Sequence, residues 1–204
     1  MNPIHEYKKK RRFSKTPEPP GMERSSPSGR VFVVQKHLAS RLHYDFRLED
    51  RGVLKSWAVP KGPSLDPLVK RLAMEVEDHP LAYAEFEGVI PEGEYGAGTV
   101  MVWDLGTYQQ EQAKDVSSAL GKGELKLTLH GSKLRGSWVL VKTRDRQWLL
   151  IKHRDSYATE SDVTLEEPRS ALSGRLLADI AADEGGHAKK AAAGDPPKRR
   201  KKGK

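Results

Sequence analysis

The sequence of this chain predicts a mainly β fold, a compact closed or nearly closed β-barrel with one or two short helices and disordered basic tails. Two observations lead to this class. Short segments of alternating or apolar residues recur at a spacing of about ten residues, and turns containing Gly, Asp or Pro separate them. Closing such a sheet removes its aggregation-prone edges, which favours a barrel, while a β-sandwich is the alternative.

The first half of the predicted barrel contains four strands, over residues 31–34, 42–48, 53–59 and 71–79. The turn Asp50-Arg51-Gly52 joins the second and third strands as a hairpin, and Pro60 ends their pairing. A His-Pro step ends the fourth strand. Alternation along this fourth strand predicts one polar face, made of Arg71, Ala73, Glu75, Glu77 and His79.

The second half contains four more predicted strands, over residues 100–104, 125–129, 137–142 and 148–153. The glycine-rich residues 81–98 are interpreted as a tight connection between strands. They lack the Gly-Lys-Ser/Thr ending and the following helix that a nucleotide-binding loop requires. Asp115 is expected to cap a short helix over Val116–Leu120, which Gly121 ends.

Composition divides the chain into a flexible basic arm at 1–29, a barrel domain at 30–156 and a C-terminal extension at 157–204. Part of the arm can fold over the barrel, and residues 181–204 are expected to be disordered. Residues 1–30 and 189–204 carry net charges of +5 and +7, which leaves −4 between them. Flexible basic ends would therefore raise affinity for nucleic acid by counterion release, while the barrel would act through a local pocket.

Several classes of protein are excluded by what the sequence lacks. It has no cysteine, which rules out disulfides, thiolate nucleophiles and cysteine-ligated zinc and leaves histidine and carboxylate as metal ligands. No apolar run approaches the roughly 20 residues that span a bilayer, and the start of the chain lacks a signal-peptide core. We therefore expect a soluble cytoplasmic protein, associated with the nucleoid of a prokaryote and without a membrane partner.

A polar face on the second strand is the candidate site. His43, Asp45 and Arg47 alternate with apolar residues and so share one face, and His37 lies just upstream. Two imidazoles and a carboxylate are a common ligand set for a divalent transition metal with open positions, and a neighbouring arginine suits phosphate oxygens. The alternative is an ordinary solvated strand face.

Longer motifs extend this site. They are Gln35-Lys36-His37, Leu42-His43-Tyr44-Asp45-Phe46-Arg47-Leu48, Ser56-Trp57-Ala58-Val59-Pro60-Lys61-Gly62-Pro63-Ser64, Glu77-Asp78-His79-Pro80, Phe86-Glu87-Gly88-Val89-Ile90-Pro91 and Tyr95-Gly96. In this order the motifs resemble the 3′-phosphoesterase domain of bacterial DNA ligase D, from about Phe13 to about Arg154. No polymerase or ligase module accompanies them, so a stand-alone form is expected.

The resemblance implies a manganese-dependent enzyme, with other divalent transition metals as alternatives, that repairs DNA 3′ ends at double-strand breaks. It would remove a 3′-terminal ribonucleoside from a primer–template and hydrolyse the 3′-phosphate to a 3′-hydroxyl. A separate DNA ligase and an end-binding protein are the implied partners. The sequence leaves open which of the two reactions dominates.

The resemblance also implies roles for individual residues. The metal ligands would be His37, His43 and Asp45. The catalytic candidates are Arg47, His79, Tyr83 and Lys61. Arg47 and His79 would also contact the phosphate, and the further substrate-binding candidates are Arg71, Gln35, Glu18 and Glu77. The family often has Arg-Asp-Phe where this chain has Arg11-Arg12-Phe13, so no acidic role is available at position 12. His79 could act as an acid or as an imidazolium that stabilises the transition state.

Two other functions are compatible with the sequence. A nonenzymatic DNA-end-binding module would use the same residues as a structural metal site. A nonheme iron oxygenase would combine His43 and Asp45 with a distal histidine, His130 or His153. These two histidines are otherwise interpreted as structural or surface residues.

Overall fold

The computed structural model describes residues 4–21, 30–111 and 115–197. Within these ranges the chain forms nine strands: β1 (Val31–Leu38), β2 (Leu42–Asp50), β3 (Val53–Val59), β4 (Lys70–Pro80), β5 (Gly88–Ile90), β6 (Gly98–Gln110), β7 (Glu124–Gly131), β8 (Arg135–Arg144) and β9 (Gln147–Lys152). The sheet order is β1-β2-β3-β4-β9-β8-β7-β6, and β6 pairs back onto β1. The predicted closed β-barrel is therefore confirmed, and the sandwich alternative is wrong.

Short helices surround the barrel. They are α1 (His5–Lys9), α2 (Val116–Gly121), α3 (Val163–Glu166), α4 (Leu177–Asp183) and α5 (Ala188–Ala191), with 3₁₀ turns at Leu81–Glu85 and Ala192–Gly194. The predicted cap of α2 is confirmed, because the Asp115 side chain accepts a hydrogen bond from the Ser118 amide at 2.7 Å. No helix in the described ranges has the length and apolarity needed to cross a membrane.

The barrel interior is filled by aromatic and aliphatic side chains. Four tryptophans, Trp57, Trp103, Trp138 and Trp148, are buried there, and Tyr44, Phe46 and Leu48 of β2 point into the same core. The predicted apolar face of this strand is thus confirmed. The opposite face of β2 lies on the outside of the barrel wall, so the polar residues that alternate with this apolar set are displayed together outside the core.

The hairpin between β2 and β3 has the predicted turn. Arg51 has φ of 54° and Gly52 has φ of 81°, both in the left-handed region that a two-residue hairpin turn requires. The turn fixes the register, so that Arg47 faces Ser56 and Asp45 faces Ala58 across the two strands. This register brings Ser56 next to the polar face of β2.

The predicted single polar face of β4 is wrong. Between β3 and β4 the register shifts, with Leu54 opposite His79 but Ser56 opposite Val76. Such a bulge moves the residues after it to the other face. Ala73 therefore belongs to the barrel core, whereas His79 packs outside against Arg47 of β2.

Residues 4–21 are ordered, contrary to the predicted disorder of this segment. Ile4 and Tyr7 stand about one helical turn apart and are buried with Val33, Leu54 and Tyr83 on the outer wall of the barrel. The sequence prediction missed this because the two apolar residues lie in a lysine-rich stretch. The segment packs on the outside of the barrel beside the candidate site, with apolar neighbours on β1 and β3 and ion pairs to Glu77 of β4.

The predicted disorder of residues 181–197 is also wrong. Ile180, Ala181 and Ala191 of α4 and α5 are buried as part of the main core. Asp195, which follows α5, is bound to the start of α4, since its carboxylate accepts from the Leu177 and Ala178 amides at 3.0 Å each. The remaining predicted tail residues, at 1–3, 22–29 and 198–204, lie outside the described residues.

Candidate active site

Two strands bring the three predicted metal ligands together. His37 of β1 lies directly opposite His43 of β2, and their ring centroids are 4.8 Å apart. Asp45 follows on the same face of β2, with its Oδ2 3.8 Å from His37 Nδ1 and 3.7 Å from His43 Nε2. One ligand atom from each residue lies within 4.8 Å of the other two. A single ion can therefore be reached by all three side chains.

The far side of each imidazole ring is held by a backbone carbonyl. His37 Nε2 lies 2.9 Å from the Gly96 oxygen and His43 Nδ1 lies 3.1 Å from the Arg41 oxygen. We assign the ring protons to these nitrogens, which leaves lone pairs on the two nitrogens that face Asp45. This orientation by second partners is typical of metal-ligating histidines, so the donor set fits a divalent transition metal.

Arg47 lies beside the ligand cluster and is almost completely buried, with 3% of its side chain exposed. Its Nε donates to Gln35 Oε1 at 2.8 Å and its Nη1 donates to Ser56 Oγ at 2.8 Å. Its Nη2 lies 3.2 Å from Asp45 Oδ2. Burial opposes the charge of Asp45, but its charged surroundings, Arg47 foremost, hold the pKa of this carboxyl below its usual range.

His79 lies on the other side of Arg47 as a neutral imidazole. Its Nδ1 lies 2.9 Å from the Glu77 carbonyl oxygen and 3.0 Å from Arg47 Nη1. Its Nε2 lies 3.2 Å from Arg11 Nη2. Burial and the two guanidinium groups lower the pKa of His79 well below its usual value. We assign the proton to Nδ1, so that Nε2 accepts from Arg11.

Arg11 is a residue of this site that the sequence analysis missed. Its guanidinium is held by Glu18, whose Oε1 accepts from Arg11 Nε at 2.8 Å, and it lies 3.9 Å from the centre of the Tyr7 ring. The available signal was the position of Arg11 one helical turn after the buried Tyr7. The basic run 8–12 was instead interpreted as a flexible arm.

Glu18 and Tyr83 form the back of the site. Glu18 is 2% exposed and accepts from Tyr83 Oη at 3.0 Å and Thr16 Oγ1 at 2.9 Å, besides Arg11. The Tyr83 ring packs against His79 with centroids 4.9 Å apart. Burial and the nearby carboxylate raise the pKa of Tyr83 well above its usual value, so its hydroxyl stays protonated and donates to Glu18.

Three cations of the N-terminal segment reach acidic partners at the rim of the cleft. Lys10 Nζ lies 3.0 Å from Glu77 Oε2, and Arg11 Nη1 lies 3.4 Å from Glu77 Oε1. Arg12 donates to both carboxylate oxygens of Glu94, at 2.6 and 3.1 Å. These residues belong to the part of the arm that was expected to fold over the barrel. Each has a defined partner, either Glu77 on β4 or Glu94 in the turn between β5 and β6.

Together these residues enclose a cleft of about 330 Å³ on the outer barrel wall. Its lining combines the ligand cluster, the phosphate-contact candidates and the rim: Arg11, His37, Ala39, His43, Asp45, Arg47, Ala58, Val76, Glu77, His79, Tyr83, Ile90, Tyr95 and Gly96. Gln35 lies behind Arg47, with its amide nitrogen donating to the carbonyls of Tyr83 and Phe86 at 3.0 Å each.

Some sequence-predicted residues lie elsewhere. Lys61 is exposed in the turn after β3, and Arg71 lies on β4 opposite Leu150 of β9, and neither lines the cleft. His130 is exposed on β7, and His153 Nδ1 lies 2.8 Å from Ser137 Oγ. Neither joins the ligand cluster, so the distal ligand that the oxygenase alternative requires is not supplied by these two histidines.

Comparison with known proteins finds similarity over most of the chain. A family model described as the DNA Ligase D 3'-phosphoesterase domain matches residues 35–142. A Pseudomonas aeruginosa protein, "Multifunctional non-homologous end joining protein LigD", is 54% identical over 184 residues, which are 86% of this chain and 22% of that protein. The corresponding Mycobacterium bovis protein is 49% identical over 160 residues, which are 76% of this chain and 21% of that protein. The chain thus spans about a fifth of the length of the curated relatives it matches.

Proposed function

Because the chain belongs to the family of DNA ligase D 3′-phosphoesterase domains, we propose that it is a metal-dependent enzyme that repairs DNA 3′ ends. Family membership supports a role in DNA end processing during non-homologous end joining. The proposed reactions are removal of a 3′-terminal ribonucleoside, which leaves a 3′-phosphate, and hydrolysis of that phosphate to a 3′-hydroxyl. The supporting observation is that a metal-ligand set and a buried guanidinium line the same cleft.

In this proposal His37, His43 and Asp45 would hold a Mn²⁺ ion, and other divalent transition metals are alternatives. The bound ion would polarise a phosphate oxygen and lower the pKa of a coordinated water. Asp45 is suited to this role because it stays ionised in a buried site, where Arg47 compensates its charge. The carbonyls of Gly96 and Arg41 keep both imidazoles turned toward the ion.

Arg47 is proposed to bind the nonbridging phosphate oxygens. Gln35 and Ser56 fix its Nε and Nη1, so the guanidinium is already oriented before substrate arrives. In phosphoryl transfer such positioning and charge stabilisation supply most of the rate enhancement. Arg11 is proposed as a second cation for the same phosphate, since it lies across His79 from Arg47.

His79 is proposed to contact the phosphate through Nε2. In the free protein this nitrogen is an acceptor, so His79 must gain a proton before it can donate one. The negative charge of a bound phosphate would offset Arg47 and Arg11, the two cations that contribute to keeping the ring neutral. Substrate binding would therefore favour the imidazolium form, which can protonate a leaving oxygen or stabilise the transition state.

The remaining candidates are proposed to position these groups. Tyr83 and Glu18 hold His79 and Arg11, and Glu77 holds Lys10 and Arg11 at the rim. We propose no role at the reacting phosphate for Lys61 and Arg71, because neither lines the cleft. A DNA primer–template in the nucleoid, a separate ligase and an end-binding protein remain the proposed partners.

The test is to incubate the protein and Mn²⁺ with a primer–template that bears one 3′-terminal ribonucleotide, and to resolve the products by length and end group. We expect loss of the terminal nucleoside, with a 3′-phosphate and then a 3′-hydroxyl on the shortened strand. The variant His43→Ala should yield neither product, and His153→Ala is the matched control. The alternative of a nonenzymatic end-binding module predicts salt-sensitive DNA binding with unchanged 3′ ends.

A further inference from the structure

Tyr95 is a cleft residue to which the reaction described above assigns no role. It lies in the turn between β5 and β6 and lines the cleft together with His37 and Arg47. Its neighbour Gly96 supplies the carbonyl that orients His37. The aromatic ring is therefore attached to the backbone segment that is hydrogen-bonded to one of the metal-ligand candidates.

The exposure of this ring is unusual for the cleft. Tyr95 is 49% exposed, whereas Tyr83, the other tyrosine of the lining, is 2% exposed. Six large hydrophobic side chains are exposed in the described ranges, and Tyr95 is the one among them that lines this cleft. An aromatic ring that stays open to water beside a candidate phosphate site offers a flat apolar surface to a ligand.

The charges around the ring fit a nucleotide. Lys10 Nζ lies 4.9 Å from the ring centroid, and Arg11 Cζ lies 5.5 Å from it. Two cations thus lie close to the ring, which lines the same cleft as the ligand cluster. Aromatic rings interleaved with cations are the usual arrangement for binding unpaired nucleotides, since the rings stack on bases while the cations contact the backbone.

We propose that Tyr95 is a substrate-binding residue whose ring stacks on the base of the 3′-terminal ribonucleoside. This rests on the proposed function, in which the phosphate lies at the metal ligands and Arg47. The nucleoside must then extend away from the phosphate within the cleft, and a volume of about 330 Å³ suits one nucleotide rather than a stacked run. Every base has a π-face, so the contact would tolerate all four bases.

A purely positioning role for Tyr95 is the competing explanation. The ring could serve only to hold Lys10 and Arg11 over the cleft through the contacts just described. That role would affect the phosphate itself, because Arg11 lies 3.2 Å from His79. The two explanations therefore differ in one respect. With stacking, the loss of activity on removing the ring depends on a base in the substrate; with positioning, it does not.

The experiment crosses variants of Tyr95 with substrates that carry or lack the base. The substrates are primers ending in a 3′-ribonucleoside, in an abasic ribose at the same position, or in a 3′-phosphate. We expect Tyr95→Ala to lower kcat/KM for ribonucleoside removal about tenfold, mainly through KM, as for loss of one base–aromatic stack. Tyr95→Phe should restore most of this loss, because it keeps the ring.

With the wild-type protein, kcat/KM should fall by the same factor of about ten when the terminal base is absent. On this abasic substrate, Tyr95→Ala should lower kcat/KM little further. The matched control is Tyr157→Ala, which removes an equally exposed tyrosine outside the cleft and should act like the wild type. The stacking proposal would be overturned if Tyr95→Ala lowered kcat/KM equally on base-containing and abasic ends. An equal loss in 3′-phosphate hydrolysis would also overturn it. If the wild type carries out both reactions and Tyr95→Ala fails in either of these ways, the inference fails alone. If the wild type carries out neither reaction, the proposed function fails as well.

Discussion

Substitution of Glu18 by alanine tests how the N-terminal segment is held over the cleft. Glu18 and Arg11 form an ion pair with 0% and 5% of their side chains exposed, and Tyr83 Oη donates to the same carboxylate. Removing one partner of a buried pair costs about 3–5 kcal/mol. Here it leaves Arg11 with Glu77 as its acidic partner, at 3.4 Å. We expect residues 4–21 to detach locally, because detachment returns Arg11 to water at a lower cost than unfolding the barrel.

Hydrogen exchange measured by mass spectrometry follows this detachment directly. Peptides from the N-terminal segment should exchange at least about 100-fold faster in Glu18→Ala, which corresponds to about 3 kcal/mol. Peptides from the barrel strands should keep their protection. Removal of ribonucleosides should fall in parallel, since Arg11 leaves the cleft with the segment.

A second ion pair of the same segment provides the control. Arg12 donates to both oxygens of Glu94, but 59% of the Arg12 side chain is exposed. Exposed pairs contribute about 0–1 kcal/mol, so Glu94→Ala should change exchange of the segment less than about fivefold. Equal effects of the two substitutions would refute the reasoning, because burial would then have no influence on the strength of the pair.

Three further predictions concern the cleft and the chain end. Arg47→Ala should lower 3′-phosphate release about 100- to 1,000-fold in a phosphate assay, with the barrel still folded by circular dichroism; full activity would contradict its proposed role. The neutral His79 should make the metal-free protein less stable as pH falls below its unfolded pKa near 6.5, by up to about 1.4 kcal/mol per pH unit, because the native state resists protonation. Urea unfolding at pH 7.5 and 5.5 should show a smaller loss for His79→Gln than for the wild type, and identical losses would contradict the assignment. Truncation after Pro197 removes six lysines and arginines and should make DNA binding less salt-dependent in titrations from low to high salt, whereas an unchanged slope would exclude a contribution of these residues.

The part of the site that the sequence predicted correctly depends on local alternation. His43, Asp45 and Arg47 had to share a face once β2 was a strand, because the intervening Tyr44 and Phe46 enter the core. The turn at Asp50-Arg51-Gly52 fixed the partner strand by its backbone requirements. Both features are determined by residues within a few positions of each other, which is why sequence patterns reveal them.

The features that the sequence analysis missed depend on contacts between distant residues. The bulge that separates Ala73 from His79 follows from pairing of β4 with β3, which the alternation within β4 does not record. Arg11 reaches the cleft because Ile4 and Tyr7 dock on Leu54 and Tyr83, far along the chain. A lysine-rich stretch with only two apolar residues has too little local signal to predict that docking.

Binding of Mn²⁺, measured by isothermal titration calorimetry, tests most directly whether His37, His43 and Asp45 meet at one ion. We predict one site per chain in the wild type and in the control His153→Ala, and loss of that site in His43→Ala. Wild-type affinity in His43→Ala would contradict the proposed ligand set and, with it, the assignment of the cleft as the metal centre.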